Sequence, residues 1–251
     1  MELIDSKTID VLKSDEVKHF VQKILDKRTP QFLISMLSAV TSNDNLKKCK
    51  PQSVLGCCLK AATLDLAVDP SMGHAYIIPY GELAQFQLGY KAYIQLAMRT
   101  GQYKKLLVTE VRIGEVIELD DFTETYRFSR IQDDIKRESS KIAGYYAMFE
   151  LLNGFKKEMF WSFTKLLNHG KRYSKTFNSS GSPWKSSPDD MCRKTLLRQL
   201  ISKWGIMSIE MQQAYKADMA SIEYKEDGTD RISYVDNDGS TNVNYVMESA
   251  T

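Results

Sequence analysis

An Asn153-Gly154 dipeptide flanked on both sides by alternating apolar residues is the feature that most constrains this chain. Asparagine and glycine both accept the left-handed backbone of a tight turn, so residues 142–152 and 155–163 read as two strands folded back on each other. A hairpin with one apolar face must bury that face, and this predicts an antiparallel sheet with something packed on it. Residues 75–80 read as a further strand. Residues 83–88 place Ala84, Phe86 and Leu88 on one face and Gln85 and Gln87 on the other, and 107–113 alternate in the same way.

Helical spacing occupies much of the remainder. Val17, Phe20, Val21, Ile24 and Leu25 recur at helical intervals in 14–27, and 32–40 repeat the signal after Thr29-Pro30. Pro51 suits a first helical position, which starts a helix over 51–65 before the Asp69-Pro70 turn. Residues 91–100 end at Gly101, and residues 188–204 end at Gly205; both glycines read as caps. The longer helix has Ser187 as its cap, with Asp189 and Asp190 opposing the helix dipole. Mixed helix and antiparallel sheet makes an α+β fold. The organisation expected is a helical amino-terminal region over 1–72, an α+β core over 73–217 and an acidic, poorly ordered tail over 218–251.

The formal net charge of +2 hides a strong segregation. Residues 154–205 hold eleven bases against three acids, whereas 221–251 hold seven acids against two bases. Residues 110–138 hold nine acids against five bases and read as a solvated insertion turned away from a polyanion. After Glu82 no acid occurs until Glu110, leaving Lys91, Arg99, Lys104 and Lys105 unopposed among tyrosines and glutamines. Basic residues interleaved with aromatics suit a groove that tracks a phosphate backbone.

On a helical wheel Lys91, Gln95 and Arg99 form one stripe, and Lys194, Arg198 and Ser202 another. Lys171, Arg172, Lys175 and Lys185 lie in what reads as the loop preceding the second helix. Arg193 projects toward the apolar side and fits a structural arginine as well as a phosphate ligand. Tyr76, Phe86, Tyr93 and Phe177 read mainly as core. Tyr90 and Trp184, each beside a lysine, are the candidate exposed platforms for bases.

Other chemistries find little support. The four cysteines form no CxxC pair and read as reduced thiols. There is no GxxxxGK[ST] phosphate loop, no signal segment and no apolar run long enough to span a bilayer. His19, His74 and His169 are scattered. Asp65, Asp69 and Glu82 are the only carboxylates that suggest a metal-dependent nuclease, and Asp69-Pro70 is itself a turn signal.

The run PYGELAQFQLGYKAYIQLAMRTGQY, the block SPWKSSPDDMCRKTLLRQLISKWG and the segment LKAATLDLAVDP resemble the RecT family of phage and prophage single-strand annealing recombinases. The likeness covers about residues 50–210, and LDLAVDP departs from the family's more glycine-rich turn. It implies a curved antiparallel sheet with helices and an ATP-independent protein that uses no cofactor. Its expected partners are single-stranded DNA, the annealed duplex and further copies of itself in a ring or helical filament. The resemblance implies DNA recombination without covalent catalysis, in the cytoplasm of a bacterial host and away from membranes. On this reading Lys91, Arg99, Lys104, Lys171, Arg172, Lys185, Lys194 and Arg198 hold phosphates. Gln85 and Gln87 hydrogen-bond the backbone, and Tyr90 and Trp184 stack on bases. The helical amino-terminal region is the candidate oligomer contact. The acidic tail is the candidate contact for a phage exonuclease or the host single-strand binding protein. A DNA-binding accessory module without annealing activity and a metal-dependent nuclease are the alternatives.

Overall fold

A computed structural model describes residues 3–174, 176–224 and 230–233 of the chain, which divides into two compact units. One comprises residues 1–88 with 213–251; the other is Gly89–Gln212.

The first unit opens with five helices: α1 (Leu3–Leu12), α2 (Asp15–Leu25), α3 (Thr29–Thr41), α4 (Asp44–Lys47) and α5 (Pro51–Thr63). Ser14 caps α2 by accepting from the Val17 N–H, and Asp15 and Glu16 lie in its positive first turn. Strands β1 (Ala75–Tyr80) and β2 (Leu83–Leu88) pair antiparallel through a two-residue turn, where Gly81 takes φ +58°. The start of α5 is tied to β2: Lys50 N–H donates to the Glu82 carbonyl at 2.7 Å, and Ala84 N–H to Ser53 Oγ at 2.9 Å. Val54, Leu59, Phe86 and Leu88 are buried, each contributing about 1.5–3 kcal/mol.

Residues 221–224 and 230–233, within the stretch read as a poorly ordered tail, are strands. Residues 225–229 and 234–251 lie outside the described residues, but β8 (Ser221–Tyr224) and β9 (Asp230–Ser233) form a hairpin. Asp218 accepts the Leu88 N–H at 2.9 Å, Met219 N–H donates to the Phe86 carbonyl, and Ala220 and Ile222 are fully buried. Composition hid these few anchors among polar neighbours. Helix α5 meets β8 at Gly56, where a Cβ would stand 1.8 Å from the Ile222 carbonyl oxygen.

The second unit comprises α6 (Tyr90–Arg99), β3 (Tyr103–Arg112), β4 (Val116–Asp120), β5 (Thr125–Phe128), α7 (Asp134–Ser139), β6 (Ile142–Leu151), β7 (Lys156–Ser162), α8 (Phe163–Tyr173), α9 (Pro183–Ser186) and α10 (Pro188–Trp204). Helix α11 (Ile209–Ala217) carries the chain across the division. The Asn153-Gly154 hairpin is present: β6 is the centre of a β3-β6-β7 antiparallel sheet, and Gly154 takes φ +86°.

Strand β6 sends alternate side chains to opposite faces. Tyr145, Ala147 and Phe149 are buried on the face where Tyr145 donates to Asp189 of α10, and helices α6, α8 and α10 cover the sheet. Tyr146 points the other way, meeting Phe128 of β5 edge-on at 5.1 Å.

The two glycine stops differ. Gly101 follows α6 with φ +67°, as a left-handed cap requires. Gly205 has extended backbone (φ −82°, ψ 157°) and is needed for space, since a Cβ there would stand 2.4 Å from the Tyr103 hydroxyl. Ser187 precedes α10 but makes no side-chain capping bond.

Replacing Gly56 with alanine should destabilise the protein by roughly 1–3 kcal/mol, because α5 must back away from β8. A lowered urea midpoint measures this, with the loss concentrated in the first unit's amide exchange protection.

Candidate nucleic-acid interface

The helical layer of the second unit carries most of the expected cations. Gly89 starts α6 in extended conformation, and the stripe it launches places Lys91 and Arg99 exposed with Gln95 half-buried between them. Ala92, Tyr93, Leu96 and Ala97 are buried on the opposite side, while Met98 is 64% exposed. Beside α6, the α10 residue Arg198 donates from Nη1 to the Tyr93 hydroxyl at 3.0 Å.

Helix α10 is less open than its wheel suggests. Cys192, Lys194, Thr195, Leu196, Leu197, Leu200 and Ile201 are buried and surround most of its circumference. Lys194 is therefore not on an exposed basic edge; its aliphatic stem contributes to packing. Lys203 is exposed, and Trp204 is 47% exposed with Lys157 Nζ 3.9 Å from its ring centroid. Arg193 takes the structural role, bonding Glu110 at 2.7 Å and lying near the Tyr90 and Tyr145 rings.

The sequence between the hairpin and α10 is helix rather than loop for most of its basic residues. Lys171 and Arg172 form the last turn of α8, and Lys185 lies in α9, donating to the Asn178 carbonyl at 2.6 Å. Lys175 lies outside the described residues. Trp184 is buried rather than an exposed platform, because Gly170 leaves room for it and Phe177 packs 5.5 Å away. A Cβ at position 170 would stand 2.7 Å from the indole.

The aromatics missed in the sequence are on α8 and its entry, where Trp161 and His169 are half-buried and Tyr173 is exposed. Trp161, at the end of β7, lies 5.5 Å from His169, and His169 lies 4.5 Å from Tyr173. Lys165, His169 and Tyr173 recur every four residues, which is a readable stripe. Burial lowers the His169 pKa, and the positive charges of Arg172, Arg198 and Lys203 act in the same direction.

Among the described residues no carboxylate pairs with Lys91, Lys105, Lys171, Arg172 or Lys203. Lys104 differs, pairing with Glu150 at 2.6 Å. Gln85 and Gln87 belong to the first unit. Gln85 is 1% exposed and accepts from Gln87 Nε2 at 3.2 Å, so its amide is not presented at the surface as the alternation suggested.

The acid-rich stretch 110–138 is no merely solvated insertion. Glu115 is 4% exposed and accepts from Arg137 Nε at 2.7 Å and the N–H groups of Arg112 and Ile131. Glu110 bridges Arg137 and Arg193. Burial would raise both carboxyls, but the backbone and guanidinium hydrogen bonds outweigh it and hold both below their ordinary value of 4.5. A recess of about 280 Å³ above this cluster, between Phe128 and Tyr146, has its charges already matched.

The carboxylates considered for a nuclease are engaged separately. Asp65 faces Arg28 at 3.8 Å, Glu82 faces Lys50 at 3.8 Å, and Asp69 accepts from the Ser71 N–H within its own turn. Buried Cys58 and Cys192 have thiols pushed up to about 12, chiefly by desolvation, which keeps them protonated and unreactive.

Helices packed on an antiparallel sheet, with exposed basic residues on the helices, define an α+β protein. The chain belongs to the RecT family, whose model matches residues 30–231. It is 45% identical over 204 residues to Uncharacterized protein YqaK of Bacillus subtilis (strain 168), covering 81% of this chain and 69% of that protein. Protein RecT of Escherichia coli (strain K12) is 27% identical over 194 residues, covering 69% of this chain and 65% of that protein.

The Glu115→Gln substitution should cost roughly 3 kcal/mol by leaving Arg137 short of its counter-charge, read as a lower thermal midpoint at pH 7. Because the folded carboxyls titrate below 4.5, their contribution is fully present above that pH. It should disappear as pH falls through the lowered values, and Glu115→Gln should flatten this acid limb.

Proposed function

We propose that this chain is an ATP-independent single-strand annealing protein that binds DNA by its phosphates and pairs it with a complementary strand during recombination. Family membership supports the annealing reading. The observation that carries the binding face is exposed Lys91 on α6, Lys171 and Arg172 on α8 and Lys203 on α10, which pair with no carboxylate among the described residues. Lys91, Arg99, Lys171 and Arg172 are the phosphate ligands, joined by Lys185 and Lys203. Lys104 joins them by exchanging Glu150 for phosphate. Tyr90 and Arg198 border this face, while Lys194 and Trp184 hold it from beneath.

Annealing has an electrostatic difficulty: two polyanions must approach, and neither may remain folded on itself. A surface that neutralises phosphates without reading base edges meets both demands and leaves sequence recognition to the partner strand. No covalent step or nucleotide is required. Single-stranded DNA and the annealed duplex are the substrate and product. A ring or helical filament of copies would continue the face from one protomer to the next, with the amino-terminal helices as contact, in the manner of head-to-tail association. The acidic carboxyl-terminal segment recruits a phage exonuclease or the host single-strand binding protein in the bacterial cytoplasm.

Purified protein should accelerate duplex formation between two complementary labelled oligonucleotides without added nucleotide, and Lys91→Ala with Arg99→Ala should abolish most of that acceleration. The double variant should lose affinity equally for unrelated sequences, and its log–log salt slope should shrink by about 1.4, given roughly 0.7 per single-strand phosphate contact. Binding without accelerated annealing would identify an accessory DNA-binding module instead. Removing residues 234–251 should leave annealing by the isolated protein unchanged while weakening partner capture; a lost annealing rate would refute the recruitment role.

A further inference from the structure

The aromatic ladder on α8 is not explained by packing alone. Trp161 is half-buried where β7 ends, His169 lies one rung above it, and Tyr173 forms the outer rung at the helix terminus. The rings tilt by 53° and 43° at successive rungs, so each supports the next. Tyr173 is 62% exposed although a phenol this large ordinarily gains by burial.

The surroundings are cationic. Lys165 Nζ lies 4.8 Å from the Trp161 centroid and the Arg172 guanidinium carbon 5.4 Å from that of Tyr173. Arg172, Arg198 and Lys203 all act electrostatically on His169. The three acids of residues 154–205 are engaged elsewhere: Glu158 with Lys156, Asp189 with Tyr145, and Asp190 with Arg193. An exposed ring with cations on its flanks suits a ligand that is flat and apolar in one part and anionic in the next. An unpaired nucleotide has that chemistry, and stacking is available to every base.

We propose that Tyr173, backed by His169 and Trp161, is a stacking platform for one unpaired nucleobase whose adjoining phosphates pair with Lys171 and Arg172. This rests on the reading of the helical face as a single-strand binding surface and adds a contact to base rather than backbone. One base held on the ring sets the strand's position at the end of α8. The other bases remain free to test complementarity, so the platform anchors the strand without selecting a sequence.

The test is equilibrium binding of two fluorescent probes, a mixed-sequence single-stranded oligonucleotide and an abasic-backbone oligonucleotide of equal length, to wild type, Tyr173→Ala and Tyr173→Phe. Circular dichroism would establish that both variants are folded; an exposed terminal side chain should tolerate either change. Tyr173→Ala should bind the base-containing probe about ten-fold more weakly and the abasic probe as wild type does, while Tyr173→Phe retains affinity for both. Equal losses on both probes, or no loss on either, would overturn the platform while leaving phosphate binding intact. Failure of wild type to bind either probe would instead overturn the single-strand reading together with this one.

Discussion

The Glu110 carboxylate between Arg137 and Arg193 is the interaction on which the second unit's arrangement depends. It lies on β3, while its two partners belong to α7 and α10, elements separated in sequence from it and from each other. Neither guanidinium could be buried alone, and a half-buried carboxylate needs both. Glu115 completes the cluster by gathering Arg137 and two backbone N–H groups. The sheet and its covering helix are thus joined by charge as well as by the apolar face of β6.

The same cluster accounts for the protein's surface. Acids of the 110–138 stretch largely neutralise nearby arginines, as Arg130 with Asp134 and Arg112 with Glu138 also illustrate. Their charge is therefore not available to balance lysines on α6 and α8. A chain of nearly balanced composition can present an unbalanced face when its acids are used internally.

Much of the architecture was legible because its signals are local. The 142–163 hairpin follows from turn chemistry and alternation, and α10 occupies the range read from Pro188 to Trp204. The basic stripe of α6 follows from helical spacing. Periodicity placed Phe86 and Tyr93 in the core, but the burial of Trp184 and Lys194 was not legible, because a neighbour distant in sequence decides it. Trp184 is enclosed because Gly170 has no side chain, and Lys194 is covered because α10 is packed around most of its circumference. The Lys165–His169–Tyr173 stripe was present in the sequence, but Trp161 joins it only when β7 delivers it beside α8.

Sequence by itself determined the antiparallel hairpin, the principal helices and the segregation of charge, since periodicity, turn residues and ionisable groups act over a few positions. Tertiary structure alone decided which charges remain outward, which aromatics are enclosed, and that residues 218–224 complete a core begun by α5 and β2. Those outcomes depend on pairing and close packing between residues far apart in the chain, where a carboxylate meets a guanidinium or an absent Cβ admits an indole.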